Sequence, residues 1–173
     1  MKTLYLVLVA LLVISCGNPM IPLKSDYSKI EKTFVSKYNR EETWSKLLDV
    51  LVQTETPLDI VDKSSGLLVS KQVDMSKLYT YEDDKGSMVD GSKMVVASRY
   101  KTAGMPIHPQ TITGTWNVRM TDTNNQVTVT TNLINVKANT VTGGSNNPYA
   151  VTIPYDVKST GVFESMIKRS ISF

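Results

Sequence analysis

Four residues near the start of the chain, Val13, Ile14, Ser15 and Cys16, have the types and spacing of a modification site. A branched residue three positions ahead of a cysteine, with a small residue directly before it, forms a lipobox. In that tetrapeptide the cysteine thiol gains a diacylglyceryl thioether and the chain is then cut ahead of it. Lys2 and the apolar run 4–14 supply the charged start and the stretch of roughly 7–15 apolar residues of a bacterial secretory signal, and Ser15 supplies the small cleavage position. The run is about half of the roughly 20 residues that a membrane span needs, so it reads as a signal and not as a permanent anchor. The competing reading is an ordinary secretory signal in which Cys16 is incidental. The placing of Val13 and Ser15, in a chain whose only cysteine is Cys16, favours acylation.

Two or three acyl chains, each contributing about 0.8 kcal/mol per buried methylene, hold a protein stably on a bilayer where a single chain would not. A lone cysteine also excludes an intramolecular disulfide, so the fold must rest on its core even in an oxidising compartment.

The remaining chemistry-bearing residues form no set in the sequence. His108, the only histidine, sits between Pro106 and Pro109 and reads as a solvent-facing loop residue. A zinc site wants about four nitrogen or sulfur ligands, and no Gly-x-Ser-x-Gly elbow supports a Ser-His-Asp triad. Glu82, Asp83, Asp84 and Asp90 lack the alternating spacing that wraps calcium and are interrupted by Lys85, so they read as a solvated loop. Gly143-Gly144 does not stand between a strand and a helix as a phosphate cradle does. Trp44 and Trp116 could line a ligand groove between helix and sheet, but both fall on apolar stripes that suit a core. No metal, cofactor or catalytic set is expected, and the sequence singles out no ligand-binding residue.

The elements that must carry any surface or cavity are those of one domain. Loss of 1–15 from the 173-residue chain leaves roughly 158, enough for one core. The net charge is +3, from 19 basic and 16 acidic residues, and Lys2 leaves with the signal. A nearly neutral domain argues against nucleic acid as partner, because phosphate binding needs clustered Lys and Arg. Residues 16–37, punctuated by Pro19 and Pro22, read as a lipid-anchored tether, with a short strand around Phe34 and Val35 leading into a folded domain at 38–173.

Asn39, with Glu42 three residues on, starts a helix over 40–53. Trp44, Leu47, Leu48, Leu51 and Val52 form its apolar stripe, and Thr56-Pro57 ends it. Leu58 and Ile60 open a hairpin whose turn, 62–66, ends at a glycine free to take positive φ, and 67–73 return. Residues 74–91 read as a long polar loop, 94–101 as a strand, and 102–110, with Gly104, Pro106 and Pro109, as a loop that cannot pair regularly. The clearest strand puts Ile112, Trp116, Val118 and Met120 on one face. A turn at 122–125 leads to Val127, Val129 and Leu133, and at Leu133-Ile134 the apolar phase slips by one, which predicts a bulge or a change of partner. Residues 140–154 read as loop with a short strand at 149–153. The last helix, from Ser159-Thr160, carries Glu164 in its first turn, Lys168 and Arg169 in its last, and a stripe of Phe163, Met166, Ile167 and Ile171. The expected fold class is α+β, a single domain with an antiparallel sheet and two helices packed on one face.

Trp44 with Leu47, Leu48 and Leu51, followed by Pro57, Ile60, Val61, Asp62, Gly66, Leu67 and Val69, resembles the helix-grip modules of BamC-type lipoproteins of the outer-membrane β-barrel assembly machinery. Ser159-Thr160-Gly161 followed by Glu164 resembles a turn that opens the last helix in related bacterial envelope lipoproteins. The resemblance covers about half of the mature chain. BamC-type proteins carry two such modules, and this chain has room for one. It implies a non-enzymatic binding module on a lipid tether.

The expectation is therefore a lipoprotein held by Cys16 to the outer membrane of a Gram-negative bacterium and facing the periplasm, since Gly17 and not aspartate follows the cysteine. Its expected role is a protein-interaction or envelope-assembly module with a protein partner in the envelope. The alternative is a carrier of small apolar ligands between helix and sheet, and an enzyme is a distant third.

Overall fold

The computed structural model of the chain describes residues 20–102, 105–142 and 151–172. In chain order the elements are β1 (Met20–Ile21), a 3₁₀ turn (Tyr27–Lys29), β2 (Thr33–Val35), α1 (Arg40–Gln53), β3 (Leu58–Asp62), β4 (Leu67–Ser70), β5 (Val73–Asp74), β6 (Tyr79–Thr80) and β7 (Val95–Ala97). There follow β8 (Arg99–Thr102), β9 (Met105–Ile107), β10 (Thr111–Thr123), β11 (Gln126–Thr142), β12 (Val151–Pro154), β13 (Val157–Ser159) and α2 (Val162–Ser172). The class is α+β, as the patterning predicts, with antiparallel pairing throughout except where β6 runs parallel to β7.

A single sheet is expected, whereas the described strands form three. The largest has the order β12-β11-β10-β4-β3, with β2 on β11 and β5 on β10; the others are β1-β8-β9 and β13-β7-β6. Ser98 is the physical reason for the division of the strand expected at 94–101. Its N–H donates to Asp156 O at 2.8 Å, and its Oγ accepts from Asp156 N at 2.9 Å. The chain therefore pairs with β13 on one side of Ser98 and with β1 and β9 on the other.

Local signals place α1 well. The Asn39 side chain accepts from Glu42 N at 2.9 Å, and Glu55, at φ 51, closes the C-terminal end. There Glu55 N donates to Val52 O and Thr56 N to Leu51 O, a Schellman pair built on a left-handed residue other than glycine. The buried face differs from the expected stripe: Thr43, Trp44, Leu47, Val50 and Leu51 are buried, while Val52 is 74% exposed. At 100° per residue this arc centres on Leu47. The buried face is the one that packs against α2.

The β3–β4 turn is held by Asp62, whose Oδ1 accepts from the N–H groups of Ser64 and Ser65 at 3.0 and 3.2 Å. Gly66 follows at φ 71. The β10–β11 hairpin turns on Asn124 and Asn125, both at positive φ, the geometry that matches strand twist. Thr115 pairs with Ile134 but Thr113 with Lys137, so β11 holds one extra residue between them. Asn135, at φ 53, marks the bulge one residue beyond the expected phase slip.

Four further expectations need correction. The polar loop expected over 74–91 contains β6, which pairs with β7. The tether expected over 16–37 is part of the fold from Met20 on: β1 pairs with β8, and the segment 24–27 is bonded to Glu82, while the short strand expected around Phe34 and Val35 is β2, paired with β11. The loop expected over 102–110 contains β9, which pairs with β8 although it holds Pro106. β9 is an edge strand, where a missing N–H is tolerated. The loop over 140–154 is shortened because β11 continues to Thr142 and pairs with β12.

Candidate functional site

The residues of the expected lipobox, Val13, Ile14, Ser15 and Cys16, the expected signal segment 1–15 and Gly143-Gly144 lie outside the described residues. The chain is described from Met20, four residues behind the cysteine, and the segment 24–27 is clamped to the domain by one carboxylate. Glu82 accepts from Lys24 N at 2.6 Å, Ser25 N at 2.9 Å and Tyr27 Oη at 2.9 Å, and is only 4% exposed. Burial pushes its carboxyl up, but these donors outweigh burial and hold it below the ordinary carboxylate value. Burial and the neighbouring Glu82 carboxylate push the Tyr27 phenol up to about 12.

Glu82 therefore differs from the solvated loop residue its surroundings in sequence suggest. The other carboxylates of that loop are occupied separately. Asp83 closes its own turn through Lys85 N and Ser87 N, Asp84 pairs with Arg99 at 3.1 Å, and Asp90 accepts from Ser92 N. Among the described residues no three His, Cys, Asp or Glu side chains gather as a metal site.

His108 is half-buried, a correction to its reading as a solvent-facing loop residue. Its Nδ1 and Tyr79 Oη share a hydrogen bond of 2.8 Å, and its ring lies 4.5 Å from that of Tyr81 between centroids. The Arg99 guanidinium sits over the other ring at 5.5 Å from the Tyr81 centroid. Burial first, and then Arg99, push the imidazole pKa below its ordinary value. Burial pushes the Tyr79 phenol up to about 12. The contact ties the loop after β9 to β6 through one partly buried hydrogen bond.

Trp44 and Trp116 are 6% and 1% exposed, and Trp116 stacks on Phe163 of α2 with centroids 4.1 Å apart. The space that a carrier would use between helix and sheet is filled there by these two rings.

The group that sequence reasoning missed is Glu164. It is 2% exposed, its Oε2 accepts from Ser159 Oγ at 2.8 Å, and its Oε1 has no hydrogen-bond partner. It borders a cavity of about 240 Å³ walled by Leu133, Val136 and Val157, with Ser159 beside it and Lys32 and Lys158 also lining it. The bulge at Asn135 and the edge strand β13 set the two sides of this space. A helical wheel contains the signal: Phe163, Ile167 and Ile171 share an arc that includes Glu164, while Met166 falls outside it. The expected stripe held Met166, and the structure buries Glu164 in its stead.

Burial pushes the Glu164 carboxyl above its ordinary value, against the opposing effects of Ser159 and Lys32. A carboxyl pushed up in the folded state binds more protons than in the unfolded chain. Its contribution to stability is therefore present below the ordinary carboxylate value and is lost as pH rises through the raised one. Glu164→Gln keeps the acceptor for Ser159 and removes the ionisation. The variant should gain on the wild type as pH rises from 4 to 8, read from urea midpoints at both pH values. A gap that is the same at both pH values would show that Glu164 does not titrate with a raised value.

No protein-family model and no curated protein matches the chain. Its own residues offer the tetrapeptide Val13-Ile14-Ser15-Cys16, a segment 24–27 strapped to the domain by Glu82, and a small cavity with a buried carboxyl.

Proposed function

We propose that the chain is a lipoprotein acylated at Cys16 and held to the outer membrane of a Gram-negative bacterium, facing the periplasm. Its α+β domain, read as a helix-grip module of BamC type, serves as a non-enzymatic protein-interaction or envelope-assembly module. The address is supported by Val13-Ile14-Ser15-Cys16 behind a short apolar run. No helix among the described residues is long and apolar enough to cross a membrane.

The observation that carries the interaction reading is β3. It stands at the end of the largest sheet and exposes Ile60 and Val61, 43% and 54% accessible. An edge strand with unpaired N–H and C=O groups and exposed branched side chains is a template for an added strand from a partner. The carrier reading is favoured by one feature only, the Leu133, Val136 and Val157 wall beside Glu164.

Metabolic labelling with a fatty acid should mark the protein, and Cys16→Ala should abolish both the label and fractionation with membranes. An unlabelled wild type, or a Cys16→Ala variant that stays in the membrane fraction, would sink the anchoring. Affinity purification from detergent-solubilised membranes should bring down a stoichiometric partner, and recovery of none would count against the interaction role.

A further inference from the structure

Among the described residues two buried side-chain oxygens lack a hydrogen-bond partner, and one of them, Oε1 of Glu164, belongs to a carboxyl group. Buried acceptors without a donor are rare in packed proteins and costly, more so when charged. A carboxyl among them marks a place where a donor from outside the chain fits. Glu164 lines both the cavity of about 240 Å³ and the neighbouring groove formed by Ile30, Phe34 and Val162, but its carboxyl end belongs to the cavity. Ser159, which donates to Oε2, and Lys32, whose charge acts on the carboxyl, both line the cavity, and neither lines the groove.

Three features then stand around one space. Leu133, Val136 and Val157 form an apolar wall. Glu164 Oε1 needs a donor. Lys32 brings an ammonium that takes part in none of the ion pairs among the described residues, whereas the other lysine at the rim, Lys158, is held by Asp156 at 2.9 Å. Each feature selects one group of a ligand. A carboxylate short of a donor in a desolvated place takes a protonated amine, since a charge-assisted hydrogen bond is about twice as strong as a neutral one. A free ammonium takes a carboxylate, and a wall of leucine and valines takes a short aliphatic chain. A ligand with both charges leaves neither Glu164 nor itself with an unpaired charge in the buried space. The volume of about 240 Å³ lies under the roughly 300–1,000 Å³ of sites for drug-sized ligands, so the ligand is small.

We propose that this cavity binds a small aliphatic amino acid, its ammonium on Glu164 Oε1, its carboxylate on Lys32 and its side chain against Leu133, Val136 and Val157. The proposal rests on the carrier reading and narrows its ligand from an apolar molecule to a zwitterion with an apolar side chain. Acylation of Cys16 does not enter it.

The test titrates the purified full chain with L-valine and L-leucine by calorimetry. Beside them stand isobutylamine, which lacks the carboxylate, isovalerate, which lacks the ammonium, and isoamyl alcohol, which has neither charge. An amino acid should bind saturably, and both singly charged analogues should bind at least about tenfold more weakly, the loss expected for one hydrogen bond to a charged group. Glu164→Gln, which keeps the acceptor for Ser159, should weaken the amino acid by about tenfold or more and leave isovalerate unchanged. Lys32→Ala should weaken the amino acid to a similar degree and leave isobutylamine unchanged. Lys32 is exposed, so this variant decides the matter even where the change at Glu164 unfolds the domain. No saturable heat from either amino acid at millimolar concentration would overturn the proposal, as would an affinity untouched by both substitutions, or a crystal soaked in valine in which water alone meets Oε1. Saturable binding of isoamyl alcohol without the amino acids would overturn it and leave the carrier reading standing, whereas binding of no probe at all would remove both.

Discussion

Trp116→Ala should lower the stability of the domain by about 4 kcal/mol, the middle of the range for loss of a buried aromatic side chain. That is a large part of the roughly 5–15 kcal/mol that holds a domain together. Trp116 is 1% exposed on β10, the strand that pairs with β11 along its length and with β4 and β5 on its other side. Its ring is the seat of α2 through Phe163, 4.1 Å away and only 18° from parallel. The loss should appear as a lower urea midpoint with an unchanged slope. Trp116→Phe should lose much less, because a ring remains against Phe163. A double-mutant cycle with Phe163→Ala should give a coupling of about 1 kcal/mol, the usual value for an aromatic pair beyond its buried area. Additive single and double variants would mean that the stack does not hold α2 to the sheet. Because α2 carries Glu164, a loosened stack should also open the small cavity and move the Glu164 carboxyl toward its ordinary pKa.

Gly66→Ala should cost about 3 kcal/mol through two effects at one position. The backbone there is at φ 71, a left-handed conformation that costs an L-residue with a Cβ about 1 kcal/mol. A Cβ would also stand 2.2 Å from the carbonyl oxygen of Met120, which real Cβ atoms do not tolerate. The approach is close because Met120 N donates to Gly66 O at 2.7 Å, tying the β3–β4 hairpin to the middle of β10. Gly66→Asn separates the two effects, since asparagine accepts the left-handed region more readily than alanine. Both variants should be impaired to a similar degree, as the clash with Met120 outweighs the conformational term. A nearly wild-type Gly66→Asn denaturation curve would show instead that φ alone demands glycine. Displacement of this hairpin would also move β3, so any partner recovered through that edge should be lost in parallel.

These two positions show how differently fold and site are written in the chain. Gly66 is legible locally, as a glycine at the end of a polar turn between two apolar runs. Its approach to Met120 is not, since the two residues meet only when the hairpin docks on β10. Trp116 is legible as a core residue from alternation along its strand, but its stacking partner lies on the last helix. The cap at Asn39, the Asn124-Asn125 turn and the bulge near Leu133-Ile134 are likewise local features, and the structure holds them at or within a residue of where the pattern puts them.

The candidate site is less legible because its groups are made by distant packing. Glu82 looks like one of several acidic loop residues until Lys24, Ser25 and Tyr27 arrive from 55 or more positions away in the chain. His108 looks solvent-bound until Tyr79 and Tyr81 close on it. Glu164 looks like a first-turn acid that favours a helix dipole, and its position on the apolar arc is the one local hint that it is buried.

Sequence alone determines the features that depend on neighbours within a few residues: the caps, the turns and the alternating apolar faces. Tertiary structure alone decides that the segment 20–27 is a strap and not a loose tether. It also decides that Met20 and Ile21 pair with β8 and that the Glu164 carboxyl is buried. The physical reason is that burial and long-range hydrogen bonding are properties of the packed chain, and each changes the chemistry of a side chain without leaving a mark on its near neighbours.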